Sequence, residues 1–268
     1  MGCLEEILDK ILVISDIHIP YQDDKALGVM YQFSKDYKPD KIFINGDLLD
    51  FYRLSTFDQD PGRRDTVTEE AYKTREFLKD LRKRNPKAKI TYLQGNHENR
   101  LQRYLWRNPE LAGLDSLELK NLLEIKKWNI KEVKVDRDYW SKTTGHIKQG
   151  DAIIMHGDSR LNGAKGGSYS GYAAKNTMLN GINSSVIMGH THRGATIYHT
   201  TANGILTGVE GGCLCQIPPN ANWQQGFVTF ETEGGKNYNY HFHHIVNGQL
   251  KEDNKIYSPI KNSNKKNI

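Results

Sequence analysis

Five short segments follow one another in the chain, and each closes an apolar run with residue types that ligate divalent metals. They are Asp16-Ile17-His18, Gly46-Asp47-Leu48-Leu49-Asp50, Gly95-Asn96-His97-Glu98, Met155-His156-Gly157 and Gly189-His190-Thr191-His192. The runs before them, at 11–14, 41–44, 89–93, 152–155 and 185–188, are short and rich in β-branched residues. Strands buried on both faces read this way. Helix patterns separate the first three runs. Leu27, Met30, Phe33 and Tyr37 form one stripe that Pro39 stops. Thr66, three residues before Glu69, opens a second helix with a capping box. That helix should run to about Arg84, with Tyr72, Phe77, Leu78 and Leu81 on its apolar stripe.

Strand, helix, strand, helix, strand implies a mostly parallel sheet. Ligands of such a sheet sit beyond the carboxyl ends of its strands, which is where Asp16, Asp47, Asn96, His156 and His190 fall. After Gly194 the texture changes. Strand-like segments at 195–200, 205–209, 226–230 and 238–245 follow at short intervals, split by Gly, Asn and Pro. They predict an antiparallel sheet closing the domain. With no linker in view, residues 1–250 read as one domain and 251–268 as a frayed basic tail.

Alternate spacing lets Asp16 and His18 point the same way with Ile17 turned inward, and His190 and His192 repeat the arrangement. The segments together offer three aspartates, five imidazoles and an amide, enough for two adjacent metal ions and a spare acid. Such donors suit Mn, Fe, Zn or Mg rather than copper(I) or an iron–sulfur cluster. Any one segment alone is an ordinary cap or turn. Their order on consecutive strands carries the signal.

In these segments the chain resembles the calcineurin-like metallophosphoesterase superfamily, whose pattern is D-x-H, G-D-x-x-D, G-N-H-[DE], H-G and G-H-x-H. The resemblance spans residues 16 to 192. It implies an α/β fold (α+β by some schemes) with two central mixed β-sheets packed as a sandwich and flanked by helices. It also implies that Asp16, His18, Asp47 and His192 hold a first metal. Asp47 would bridge to a second, completed by Asn96, His156 and His190. Mn is the expected ion, with Fe, Zn, Ni or Mg as alternatives. The implied reaction is phosphate-ester hydrolysis by a water or hydroxide shared between cations about 3.5–4 Å apart. His97 looks like the family's general acid, and Asp50 would hydrogen-bond it and raise its basicity.

The protein Ser/Thr phosphatase branch carries arginines where this chain has Phe51 and Gln94, which argues against a protein substrate. Arg100, Arg160 and Arg193 stand next to motifs and are the candidate phosphate contacts. A phosphodiester is the favoured substrate. The alternatives are a DNA nuclease or nucleotide phosphodiesterase of the same superfamily, a small-molecule phosphomonoesterase, or a non-catalytic metal-binding interaction module. The intact Asp50 and His97 argue against the last.

The partner expected is a phosphate ester, nucleic acid or nucleotide included, and not a membrane, since no apolar run is long enough to span one. The net charge of +5 gathers its densest basic stretch in 51–110. Acids are interleaved there, however, so a salt-bridged helix face is the preferred reading over a nucleic-acid surface. Residues 101–148 mix Tyr104, Trp106, Trp128, Tyr139 and Trp140 with bases, and Leu114, Leu117, Leu122 and Ile125 have helical spacing. They read as a family-specific insertion or cap, mainly packing. The Gly-rich segment 163–171, with Lys165, reads as an ordinary connection. His241, His243 and His244 in an apparent strand, without a spaced partner, are assigned a structural role. Cys3, Cys213 and Cys215 are too few for a disulfide framework or a zinc site, which fits a reducing cytoplasm. Met1-Gly2-Cys3 lacks the Ser or Thr that myristoylation requires at Glu6.

Overall fold

The computed structural model describes residues 8–111, 113–133, 145–158 and 169–259. The first apolar run is strand β1 (Asp9–Ile14), followed by α1 (Asp24–Tyr37) and β2 (Lys41–Asn45). Next come α2 (Val67–Arg84), β3 (Lys89–Leu93), α3 (Glu98–Arg107), the single turn α4 (Leu119–Leu122) and β4 (Ile130–Val133). Strands β1 to β4 are parallel and adjacent, as the alternation requires. The Thr66–Glu69 capping box is formed in both directions. Asp23 caps α1 by accepting from the amides of Lys25 and Ala26.

A second sheet is built from β5 (His146–Gln149), β6 (Ala152–Met155), β7 (Ser185–Met188), β8 (Gly194–Thr201) and β9 (Gly204–Gly211), with α5 (Tyr172–Asn176) between β6 and β7. Its order is β5-β6-β7-β9-β8. The first sheet gains β10 (Gln225–Glu233) and β11 (Lys236–Ile245), giving β11-β10-β1-β2-β3-β4.

The four segments after Gly194 are therefore strands, but they do not make one antiparallel sheet. One hairpin joins each sheet, and β9 lies parallel to β7, with Val186 opposite Gly208. Periodicity marks a strand without naming its partner.

The strands' two faces separate the layers. Leu12 and Ile14 pack under α1 and α2, whereas Ile11, Val13 and Phe43 meet Ile154, Ile187 and Val209 of the second sheet. The other face of the second sheet, through Met155, Val186 and Met188, packs on Ala173 and Ala174 of α5. Two sheets thus form a sandwich with helices outside, the expected fold.

Three expectations change. Residues 250–257 are not frayed: β12 (Leu250–Glu252) and β13 (Lys255–Tyr257) form a hairpin, with Leu250 and Tyr257 buried against α1 and its neighbours. The described part of 101–148 is not a separate cap. Its short turns bury Leu119, Leu123 and Ile125 and deliver β4 to the edge of the first sheet, while Leu114 is exposed. Tyr72 leaves the apolar stripe of α2 and faces solvent. Residues 260–268, Tyr139, Trp140, Cys3 and Lys165 lie outside the described residues. No helix among the described residues is long and apolar enough to cross a membrane.

Candidate metal centre

All five segments meet on one rim, where the carboxyl ends of β1, β2 and β3 approach those of β6 and β7. Asn45 ties the two sheets together there, donating through Nδ2 to the Met155 carbonyl at 2.9 Å. The donor atoms fall into two groups. Asp16, His18 and His192 form one, and Asp47, His156 and His190 the other, each with ligand atoms within 4.8 Å of one another. Asp47 Oδ2 faces both. It lies 3.1 Å from His156 Nε2, 3.7 Å from His18 Nε2 and 3.8 Å from His97 Nε2. Asn96 joins the second group through Oδ1, 3.1 Å from His156 Nε2.

The donor set fits divalent cations. His18 Nδ1 is held by Asp50 Oδ1 at 3.1 Å and His156 Nδ1 by the Asn45 carbonyl at 2.9 Å, so in its neutral form each ring presents the Nε2 lone pair inward. His18 Nε2 and His192 Nε2 then face each other at 3.1 Å. Facing acceptors of this kind need a proton or a cation between them.

The electrostatics agree. Burial raises the Asp47 carboxyl, but His156, His97 and His18 outweigh it and hold it well below the usual carboxylate range. Asp16 is likewise lowered against burial, chiefly by His192. Burial lowers the His156 imidazole, yet Asp47 and Asp16 hold it well above its ordinary value. Burial and the neighbouring His156 push His190 down.

The backbone is strained at the same residues. Asp16, His18, Asp47, His190 and His192 have φ of 53°, 50°, 49°, 65° and 57°, the left-handed region that costs a non-glycine residue about 1–3 kcal/mol. The surroundings enforce it. The amides of Ile17 and His18 both donate to the Asp47 carbonyl at 3.0 Å, and the His190 amide donates to Asp16 Oδ2 at 2.9 Å. Gly95 must be glycine, because a Cβ there would collide with the Asp47 carboxylate and amide.

His97 belongs to neither group but adjoins the first: its ring meets that of His18 edge-on at 4.4 Å between centroids, and with His18 and Asp50 it makes a third set of donor atoms within 4.8 Å of one another. Its Nδ1 lies 3.2 Å from Asp50 Oδ1 and 2.8 Å from the Asp50 carbonyl, and its Nε2 points toward the centre. Asp50 thus contacts His97 as expected, and it also holds His18. Burial raises the Asp50 carboxyl, but these two imidazoles overcome that and keep it well below the carboxylate range.

Arg100 is close to His97, with Nη2 3.1 Å from its Nε2 and Nη1 donating to the Asp50 carbonyl at 2.8 Å. Arg193 donates to the Tyr169 carbonyl at 3.4 Å. Arg160 lies outside the described residues.

Three buried glutamates were not singled out by sequence. Glu98 accepts from the amides of Asp47, Leu48, Leu49 and Gly95 at 2.6–3.2 Å. Glu210 accepts from the Ala173 and Ala174 amides at 2.9 and 3.2 Å and from the Thr191 hydroxyl at 3.0 Å. Glu70 accepts from the Phe51 amide at 2.7 Å. The available signal was the closing carboxylate of a motif for Glu98 and a carboxylate at the end of an apolar strand for Glu210, while Glu70, in the first turn of α2, had none.

One other cluster differs from expectation. His241 and His243 do have a partner, Glu252 of β12, at 3.2 and 2.5 Å, so they clamp the final hairpin to β11. Cys213 and Cys215 are buried behind His192, whose Nδ1 is 3.9 Å from Cys215 Sγ.

Residues 9–194 match the family model for calcineurin-like phosphoesterases. The chain belongs to this family. Among curated proteins it is similar to the Gene 54 protein of Mycobacterium phage L5, with 29% identity over 265 residues, 92% of this chain and 98% of that protein. The Gene 54 protein of Mycobacterium phage D29 is 30% identical over 242 residues, covering 84% of this chain and 89% of its own. Among solved structures, vacuolar protein sorting 29 of Cryptosporidium parvum is similar over 94% of this chain and 96% of its own, at 12% identity and a TM-score of 0.44.

Proposed function

We propose that this calcineurin-like phosphoesterase hydrolyses phosphodiesters at a two-metal centre. Asp16, His18, Asp47 and His192 hold one ion, and Asp47, Asn96, His156 and His190 hold the other, with Mn the expected metal. The observation that carries the reading is the placement of Asp47 Oδ2, which faces His18 in one donor group and His156 in the other. When bound, the ions supply Lewis acidity toward the phosphoryl oxygens and lower the pKa of water.

The remaining chemistry belongs to side chains. Asp50 fixes the His97 ring from behind, so Nε2 is the atom that hands a proton to the departing ester oxygen. Burial lowers this imidazole's pKa, but Asp47 and Asp50 outweigh it and raise the value, keeping the proton available near neutrality. Arg100, beside that same Nε2, takes a phosphoryl oxygen and leaves His97 facing the leaving group. The diester preference rests on the open groove next to Arg100, which has room for a second ester arm.

The test is hydrolysis of a chromogenic phosphodiester beside its monoester with Mn, using Asp47→Asn as the blank. The diester should be turned over faster, and the variant should be inactive. Absence of hydrolysis of either ester with Mn, Fe or Zn would replace this reading with a metal-binding interaction module.

A further inference from the structure

Beside the metal centre a groove of about 250 Å³ runs along α3, lined by Asn96, Arg100, Arg103 and Arg107 on one side and by Phe57 and its neighbours on the other. The three arginines recur at helical spacing, so they share one face. They extend about 10 Å along the axis at 1.5 Å per residue, leading away from the N-terminal end of the helix beside Asn96 and His97. Arg103 and Arg107 are exposed, Arg107 Nε donates to the Arg103 carbonyl at 3.2 Å, and among the described residues no ion pair engages either. One carboxylate, Asp158, lines the same groove. Phe57 is 80% exposed.

The basic residues of α2 form a useful contrast. Lys79 pairs with Glu76, Lys73 with Asp65, and Arg82 donates to the carbonyls of Trp128, Ala88 and Asn129. These three charges on α2 are neutralised or structural. On α3 it is directed along the groove that opens at the centre.

A single phosphate at the metals, with Arg100 beside it, would leave Arg103 and Arg107 without a role. A row of guanidinium groups leading away from the centre matches a row of phosphates, and an exposed aromatic across the groove matches a base that can stack. We infer that the groove along Arg100, Arg103 and Arg107 binds single-stranded nucleic acid and carries the strand into the centre. Binding stands on the groove alone, and calling the strand a substrate rests on the phosphoesterase reading.

The experiment compares full-length protein with an Arg103→Glu/Arg107→Glu double variant and with Phe57→Ala. Melting temperature and Mn stoichiometry check that each variant is folded. Binding of a fluorescent single-stranded 20-mer is followed by anisotropy across a salt series, with inorganic polyphosphate as competitor, and hydrolysis of the 20-mer and of the chromogenic diester is measured in parallel. The double variant should weaken binding at least about tenfold and reduce the salt slope by about 0.7 for every phosphate it no longer neutralises. Its loss of activity on the 20-mer should exceed its loss on the chromogenic diester. Phe57→Ala should weaken binding with little change in the salt slope. Equal binding by wild type and the double variant, or no binding by wild type, overturns the inference. Polyphosphate competing as well as the strand, with Phe57→Ala silent, overturns it in favour of a polyanion without bases. A strand bound through these arginines with no ester of any kind hydrolysed keeps the groove and sinks the phosphoesterase reading.

Discussion

Asp16, His18, Asp47, Asn96 and His97 follow three neighbouring parallel strands of the first sheet, whereas His156, His190 and His192 follow two strands of the second, and the two groups are anchored by different means. Every carboxylate in the centre comes from the first group. Its loops are bound to one another by backbone hydrogen bonds, and Glu98 gathers four amides from the Asp47 and Gly95 turns. The second group supplies only imidazoles. Its 189–193 loop is held by Asp16, reaching across from the first sheet, by Glu210 through the Thr191 hydroxyl, and by backbone bonds from the Gln224 amide to the His192 carbonyl and from the Gly212 amide to the Arg193 carbonyl. Both halves have backbone ties of their own, and the second is in addition positioned by a carboxylate of the first. That arrangement places the negative charge on the half gathered by Glu98 and the imidazoles on the half that leans on it.

The largest effect should come from the residue the two halves share. Asp47→Asn removes the anionic oxygen that faces both donor groups, and several kcal/mol of charge stabilisation go with it. At about 1.36 kcal/mol per decade this predicts a loss of about a thousandfold or more in kcat, with metal content by mass spectrometry falling below two per chain. Full metal content in that variant would show that the halves hold their ions independently. Next in size, His97→Ala should lower kcat by about a hundredfold to ten-thousandfold while both metals stay bound. Metal loss there would move His97 from proton donor to ligand.

The centre's donors were legible because each one ends an apolar run, and an open parallel sheet leaves few places for the ends of its strands to go. Helices α1 and α2 were legible through their caps and stripes. What could not be read were the partners. Nothing local to residues 205–209 says that β9 will lie beside β7 instead of closing a separate antiparallel sheet. β4 reads Ile-Lys-Glu-Val, half charged, because it is an edge strand. Glu210 and Glu70 resemble surface residues in sequence, and Glu98 closes the third motif without showing its role, since what makes them internal is a set of backbone amides, and amides leave no side-chain signature. Glu252 was hidden for the opposite reason. It sits in a lysine- and asparagine-rich stretch whose composition suggests a tail, yet two histidines and a buried Tyr257 fasten that stretch to the body.

The glutamates test the asymmetry directly. Glu98→Gln turns an NH2 group toward amides that need an acceptor, and should cost about 3 kcal/mol in denaturant unfolding of the metal-free protein. Glu210→Gln can rotate its remaining oxygen toward α5 and lose mainly the hydrogen bond from Thr191, so about 1–2 kcal/mol is expected. On refilling with Mn, the Glu210 variant should recover more of its activity than the Glu98 variant, because it leaves the turn that carries Asp47 intact. Equal costs and equal recovery would mean that the halves are not anchored differently after all.

The smallest expected effect separates the first half from its own surroundings. Burial pushes the Glu70 carboxyl up to about 7, against the amide hydrogen bond from Phe51 that favours its charged form. Phe51, at φ 48°, follows Asp50 directly, so this glutamate supports the turn that orients His97 and His18. A carboxyl whose folded pKa lies above its unfolded value binds more protons folded than unfolded. Its favourable contribution is complete below about 4.5 and is lost as pH rises through 7. Wild-type unfolding free energy should therefore carry a component falling by about 1 kcal/mol per pH unit between about 5 and 7, which Glu70→Gln should remove. The difference between wild type and variant, read from denaturant midpoints at fixed salt, isolates this group from the histidines that titrate in the same range. A difference that stays flat with pH would mean the Phe51 amide keeps Glu70 ionised throughout, making it a third fixed anchor of the carboxylate-bearing half.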